Sequence, residues 1–385
     1  MSYLRLLLLV VVLSCPSMLI GQNRLSLTFI GDIMGHGAQI KDAQYRESLD
    51  STKNPYSHCF KYVNRSLSDA DFTVGNLEVT LGVKPYSGYP TFSSPVSLLD
   101  ACVAAGVDIF ALANNHVLDR GSRGVKSTIA ALEKRRLPYM GAYKDSVARE
   151  AKNGLIIEKN NIRVGLLNYT YGTNGIKVKA PTQVNYIDTT LIKEDIACLR
   201  AKNPDQIIVM LHWGYEYHLS PSIAQRRLKE FLYRNGISIV IGSHPHVVQP
   251  IEWDKQNKRL CVYSLGNFVS NQREAPKDIG LIAHVELKKD ENGCVLDSVS
   301  YQTTYVHRYV QGDGYSFEVL PFSYIGQDSI LHLDSMRSSK AKMDEAKIRR
   351  LLAKSKAYYH QYNDQFKSSN MDSIVPKQGV LKVLK

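Results

Sequence analysis

Cysteine is sparse in this sequence and never stands in a C-x-x-C spacing: the six residues are Cys15, Cys59, Cys102, Cys198, Cys261 and Cys294. Removal of an N-terminal leader would leave an odd five. A disulfide framework and a thiolate-held structural metal are therefore excluded. Cys102, Cys198 and Cys261 have apolar neighbours and are expected in the core. Glycine and proline are not in excess, which argues against long disordered tracts. No internal repeat is present, so a solenoid is excluded. The N-terminal apolar run Leu6–Leu13 has eight residues, or fifteen counted loosely to Ile20, against the roughly 20 that span a bilayer.

That run fits an export leader instead. Arg5 precedes it, Pro16 breaks it, and a cleavage position lies near Gly21–Gln22. Residues 1–21 are read as a signal peptide that sends the protein to the periplasm or cell envelope. Two other outcomes stay open. "VLSC" (Val12–Cys15) loosely resembles a bacterial lipobox with Cys15 as the lipidated residue, and an uncleaved leader would act as an anchor.

The formal charge is +12, and it is uneven. From Met336 to Lys385 there are 12 basic and 4 acidic residues, so +8 belongs to this tail and +4 to the rest. "MDEAKIRRLLAKSKAYYHQYNDQFK" reads as one basic helix. It is a solvated surface or a contact for anionic polymer or lipid. With so little charge on the body, no nucleic-acid partner is expected.

Strand-like runs alternate with helical patterns. Strands are expected at 24–31, 70–76, 107–113, 162–170, 205–214, 237–245 and 259–269, and helices at 97–106, 124–136 and 222–236. Residues 281–306 read as a hairpin turning at "ENG". Such alternation favours a layered α/β domain.

The strands end in a pattern. They deliver "GD" (Asp32), "GNLE" (Glu78), "ANNH" (Asn114–His116), "HWG" (His212) and "SHPH" (His244, His246). Parallel strands present their C-terminal ends at one edge, where open α/β sheets build sites. Carboxylate, amide oxygen and imidazole suit a divalent first-row metal such as Zn, Mn or Fe. Metal-assisted hydrolysis or transfer is the chemistry implied, with a nearby histidine protonating the leaving group. Each residue also has an ordinary use: Asp32 as a helix cap, Asn114 and Asn115 as turn residues, His212 as a ring packed on Trp213.

The ordered set "GDIM", "GNLE", "ANNHVLDRG", "HWGYEY", "GSHPHVVQP" and "YSLGNFV" closely resembles the bacterial CapA family, the poly-γ-glutamate capsule synthesis proteins. The resemblance runs from about Leu25 to Glu286. It implies the calcineurin-like metallophosphoesterase superfamily and a four-layer α/β/β/α sandwich with a metal centre at one sheet edge. Residues 22–310 would form that domain, and 311–385 a C-terminal extension with the basic helix. The resemblance makes Asp32, Glu78, Asn115, His212, His244 and His246 metal ligands for one or two ions. It makes His116 the general acid and Glu216 a pocket carboxylate. The superfamily's first motif is D-x-H, whereas Asp32-Ile33-Met34 places methionine at the third position. Either His36 replaces the missing ring or the centre holds a single ion. Asn267 is a candidate support behind a ligand. Arg120 either grips a substrate carboxylate or pairs with Asp119.

Two functions are compatible with these residues. One is an exported metal-dependent hydrolase or transferase acting on an anionic envelope polymer, poly-γ-glutamate or related, with a general metallophosphoesterase as its variant. The other is a non-catalytic scaffold of a capsule assembly or export complex.

Overall fold

The computed structural model describes residues 23–274 and 276–321. The expected signal peptide, Cys15 and the basic tail helix lie outside them. In chain order the first half runs β1 (Arg24–Ile33), α1 (Gly37–Leu49), a 3-10 turn (Ser57–Phe60), α2 (Asn64–Ser68), β2 (Phe72–Leu77), β3 (Thr80–Leu81), β4 (Ser93–Ser94), α3 (Ser97–Ala104), β5 (Ile109–Ala111), α4 (Gly121–Lys134), β6 (Tyr139–Met140), β7 (Ala142–Tyr143) and α5 (Ser146–Lys152). The second half runs β8 (Leu155–Lys159), β9 (Ile162–Thr170), β10 (Gln183–Val184), α6 (Thr189–Arg200), β11 (Gln206–His212), α7 (Ile223–Arg234), β12 (Ile239–Ser243), β13 (Ile251–Asp254), β14 (Arg259–Val262), β15 (Asn267–Val269), β16 (Ile279–Asp290), β17 (Gly293–Gln311) and β18 (Gly314–Pro321).

Two sheets carry the architecture. The first has the order β18-β17-β16-β1-β2-β5-β6, with β15 also on β1; the second is β13-β14-β12-β11-β9-β8. Leu25, Leu27 and Phe29 of β1 meet Val164, Leu166, Ile208, Met210, Ile239 and Ile241 in the apolar layer between them. The outer face of the first sheet is covered by α3 and α4 through Leu98, Leu99, Val125, Ile129 and Leu132. Ile192, Ile196, Leu228 and Leu232 of α6 and α7 cover the second. The result is the α/β/β/α sandwich expected. Strands buried on both faces read as unbroken apolar runs, and β9, β11 and β12 do so.

Local chemistry sets the helix ends. Ser222 and Gln225 form a reciprocal capping box that starts α7. Asp188 accepts from the N–H groups of Thr190 and Leu191 to start α6.

The stretch 259–269, expected as one strand, is two. β14 belongs to the second sheet and β15 to the first, so the chain crosses between sheets at Tyr263–Gly266. The crossing is tight. Leu265 N–H donates to Gly242 O at 3.0 Å, and Asp32 N–H donates to Gly266 O at 3.0 Å. A Cβ on Gly31 would stand 1.9 Å from Gly266 O, and one on Gly242 would stand 2.1 Å from Tyr263 O. Both positions must be glycine for the peptide to pass.

Three further expectations meet a different structure. Cys198 is exposed, because α6 turns Ile192, Asp195, Ile196 and Leu199 inward and residue 198 outward. The hairpin at 281–306 is longer, β16 and β17 joined by a turn at 291–292. The boundary drawn at residue 310 falls inside β17, and β18 pairs with β17 to carry the sheet to Pro321.

Gly31→Ala and Gly242→Ala are each expected to cost about 2–3 kcal/mol, the penalty for forcing a methyl group into filled space. Gly37→Ala, where an added carbon meets nothing within 4 Å, should unfold like the parent. Denaturant titration of the three variants checks this; equal midpoints would refute the tight crossing.

Candidate metal centre

The strand ends converge, and they do so from both sheets. Asp32 and Asn76 are register partners on β1 and β2. Glu78 follows, and its N–H donates to Ile33 O at 3.1 Å, folding it over the end of β1. β5 leads into Asn114–His116, β11 ends at His212, and β12 runs into His244 and His246. These two histidines flank Pro245 with φ of 99° and 56°, a region that residues bearing a side chain rarely enter.

Ligand atoms of Glu78, His244 and His246 all lie within 4.8 Å of one another, as do those of Asp32, Glu78 and His212. Glu78 is common to both triads. His212 Nε2 is 2.7 Å from Asn115 Oδ1 and 3.4 Å from Glu78 Oε1. His246 places Nδ1 3.1 Å from Asp32 Oδ2 and Nε2 3.7 Å from Glu78 Oε1. All six residues expected as ligands thus gather at one buried point.

The two residues expected to act on substrate stand outside both triads. His116 is buried beside them, with Nδ1 2.8 Å from Asp119 Oδ2 and its ring edge on Phe92 at 4.6 Å. Glu216 is exposed at the rim.

His36 does not supply the missing ring. It lies outside both triads, and its Nδ1 accepts from Asn271 N–H at 3.2 Å at the start of α1. Met34, the residue in its place, is buried in the apolar layer under the first sheet. Asn114 braces the turn, with Nδ2 donating to Leu77 O at 2.8 Å. Arg120 neither faces the cluster nor pairs with Asp119; it donates to Pro85 O at 2.9 Å. Asn267 does support a ligand, its Oδ1 lying 3.0 Å from His246 Nδ1.

Sequence reasoning missed several contributors. Asn76 donates to Asp32 Oδ1 at 2.7 Å. Its signal was available, since it ends a strand in line with Asp32. Asn174 accepts from Asn115 Nδ2 at 3.2 Å and so turns Asn115 Oδ1 toward His212. Tyr171 lies against His244 with ring centroids 4.4 Å apart and planes tilted by 41°. These two lie on the loop after β9, which no motif marks.

Protonation follows from burial and neighbours. Burial pushes His212 down to about 3 and His244 to about 2, so both rings are neutral near pH 7. Burial also works against the charge of His246 and of Asp32, and in each case the partner wins. Glu78 and Asp32 raise His246 to about 9, and His246 with His212 hold Asp32 at about 2. For Glu78, burial and the adjacent Asp32 both push the carboxyl well above its usual range.

These donors fit a divalent cation. Both carboxyl oxygens of Glu78 and His244 Nδ1 are buried without a hydrogen-bond partner, and Asp32 Oδ2 meets the His246 ring at 3.1 Å. An unsatisfied buried polar atom costs about 1–3 kcal/mol, more if charged. An ion bound among these donors would satisfy them, and the two triads that share Glu78 are compatible with such a site. Carboxylate, amide and neutral imidazole are the donors such ions take.

This edge cluster on a four-layer sandwich matches a known family. The family model described as "Bacterial capsule synthesis protein PGA_cap" matches residues 26–272, a span that includes the whole cluster, and the chain belongs to that family. Its relatives include the capsule biosynthesis protein CapA of Bacillus anthracis, 31% identical over 292 residues, covering 72% of this chain and 67% of that one. The PGA biosynthesis protein CapA of Bacillus subtilis strain 168 is 29% identical over 279 residues, covering 70% and 69%. Among solved structures, the NAD nucleotidase of Haemophilus influenzae aligns over 88% of this chain and 68% of its own, at 12% identity and TM-score 0.42.

Addition of Mn²⁺ or Zn²⁺ should raise the unfolding temperature. The gain is about 2.7 kcal/mol at a hundredfold excess over the dissociation constant. Glu78→Gln and His246→Ala should lose that gain. Calorimetry with and without chelator measures it, and a metal-independent midpoint for the parent would count against the site.

Proposed function

We propose that this protein is a metal-dependent hydrolase or transferase that acts on an anionic polymer of the cell envelope, poly-γ-glutamate or a related capsule component. The carrying observation is the set of buried, unpartnered atoms on Glu78 and His244 within two triads of ligand-type side chains that share Glu78. Asp32, Glu78, Asn115, His212, His244 and His246 would hold one or two ions of Mn, Zn or Fe. A bound divalent ion supplies Lewis acidity and a nucleophile at neutral pH.

The protein's own groups do the rest. His116 is the proton donor in this reading. Burial opposes its charge, but the hydrogen bond that His116 Nδ1 donates to Asp119, together with the nearby Glu78, outweighs burial and raises its pKa. Asp119 fixes Nδ1, which leaves Nε2 to face a leaving atom. Phe92 packs on the ring and excludes water from that side. Glu216 at the rim would accept a hydrogen bond from the polymer's amide. Export through the 1–21 leader would place the protein where such a polymer lies. No helix among the described residues is long and apolar enough to cross a membrane. The names of the Bacillus relatives support capsule polymer as the substrate class.

The test is turnover of oligo-γ-glutamate, muropeptide and phosphodiester substrates by the metal-loaded protein. His116→Ala should lower kcat by about 10²–10⁴, the range for a lost general acid, with little change in metal affinity. In cells, polymer output that survives His116→Ala would favour the scaffold reading.

A further inference from the structure

We propose that Tyr217 and Lys277 form a carboxylate subsite at the mouth of the cluster, selecting a polymer with a free carboxylate beside the reacting linkage. This rests on the function proposed above and adds a specificity determinant to it.

Tyr217 has φ of 64°. For a bulky residue that is an outlier, and such strain persists only where the surroundings impose it. Here Tyr217 N–H donates to Pro245 O at 2.8 Å, between the two histidines of the cluster. The ring lies 6.1 Å from that of His246. Core packing does not explain the strain, since Tyr217 is 44% exposed.

Lys277 completes the arrangement. Its Nζ stands 4.0 Å from the centre of the Tyr217 ring, where the ring's negative face attracts an ammonium. Its backbone oxygen accepts from Asn267 Nδ2 at 2.7 Å, and Asn267 Oδ1 lies beside His246 Nδ1. Both members of the subsite are therefore tied through backbone to His246.

The ammonium is available. Among the described residues, Glu274 is the one carboxylate within 4.0 Å of Lys277, and its side chain is 85% exposed against 20% for Lys277. Exposed pairs of this kind contribute about 0–1 kcal/mol, so an incoming carboxylate can replace Glu274. A cation held beside the cluster gives a charged repeat unit an anchor that a neutral one lacks.

The experiment is fluorescence anisotropy of labelled oligo-γ-glutamate on the Mn²⁺-loaded full chain, with an oligomer whose pendant α-carboxylates are amidated as the neutral control. Lys277→Met should weaken binding of the charged oligomer about tenfold, the loss of one charge-assisted contact. Lys277→Arg should retain most of it. The amidated oligomer should bind the parent about as weakly as the charged one binds Lys277→Met. Mn²⁺ affinity should be unchanged in Lys277→Met. Equal binding of both oligomers by the parent, or full affinity in both Lys277→Met and Tyr217→Ala, overturns the proposal. Charge-selective, Lys277-dependent binding without turnover under any metal would instead sink only the catalytic reading.

Discussion

Two sheets can donate ligands to one point only if their edges are pinned together. The peptide Tyr263–Gly266 is that pin. It hydrogen-bonds β12 on one side and β1 on the other, and it passes where Gly31 and Gly242 leave room for no side chain. On the first sheet it fixes the level of Asp32. On the second it fixes the start of the turn bearing His244 and His246. A residue later the same segment supplies Asn267, which holds His246. Ligand geometry is thus inherited from backbone packing, the most rigid part of the molecule.

The centre is expensive to maintain. It combines two adjacent buried acids with histidines and a tyrosine in left-handed backbone, conformations that cost about 1–3 kcal/mol apiece. The three apolar layers on either side of and between the sheets offset that cost. Proteins commonly concede stability at the place where they act, and the concession here is confined to one edge of the sandwich.

Much of this was legible in the chain. Residues at strand ends announced themselves because buried strands are apolar, so an Asp, Asn or His closing such a run stands out. The six candidate ligands that gather at the sheet edge were picked out that way and through the motif resemblance. What escaped lies on loops. Asn174, Tyr171 and Tyr217 sit where no periodicity marks a residue as special, and only three-dimensional proximity shows their partners. The crossing was misread for a physical reason: "RLCVYSLGNFV" is mostly apolar because both of its halves are buried, so hydropathy could not show that it changes sheets. His36 looked like a spare ligand by spacing, yet the start of α1 holds its ring elsewhere.

The direction of β1 gives the molecule two unlike poles. Arg24 opens the strand and Asp32 nears its close, a separation of about 25 Å at 3.3 Å per residue. The candidate metal cluster therefore lies at the end of the sheet opposite to Arg24. The described chain departs from the other pole. Pro321 is level with Thr304, Thr304 with Gly280, and Gly280 with Gly266 beside Asp32. The residues that follow carry a net charge of +6, the +8 of Met336–Lys385 less Asp328 and Asp334. Their point of departure is about 14 Å from β1, three strand spacings away.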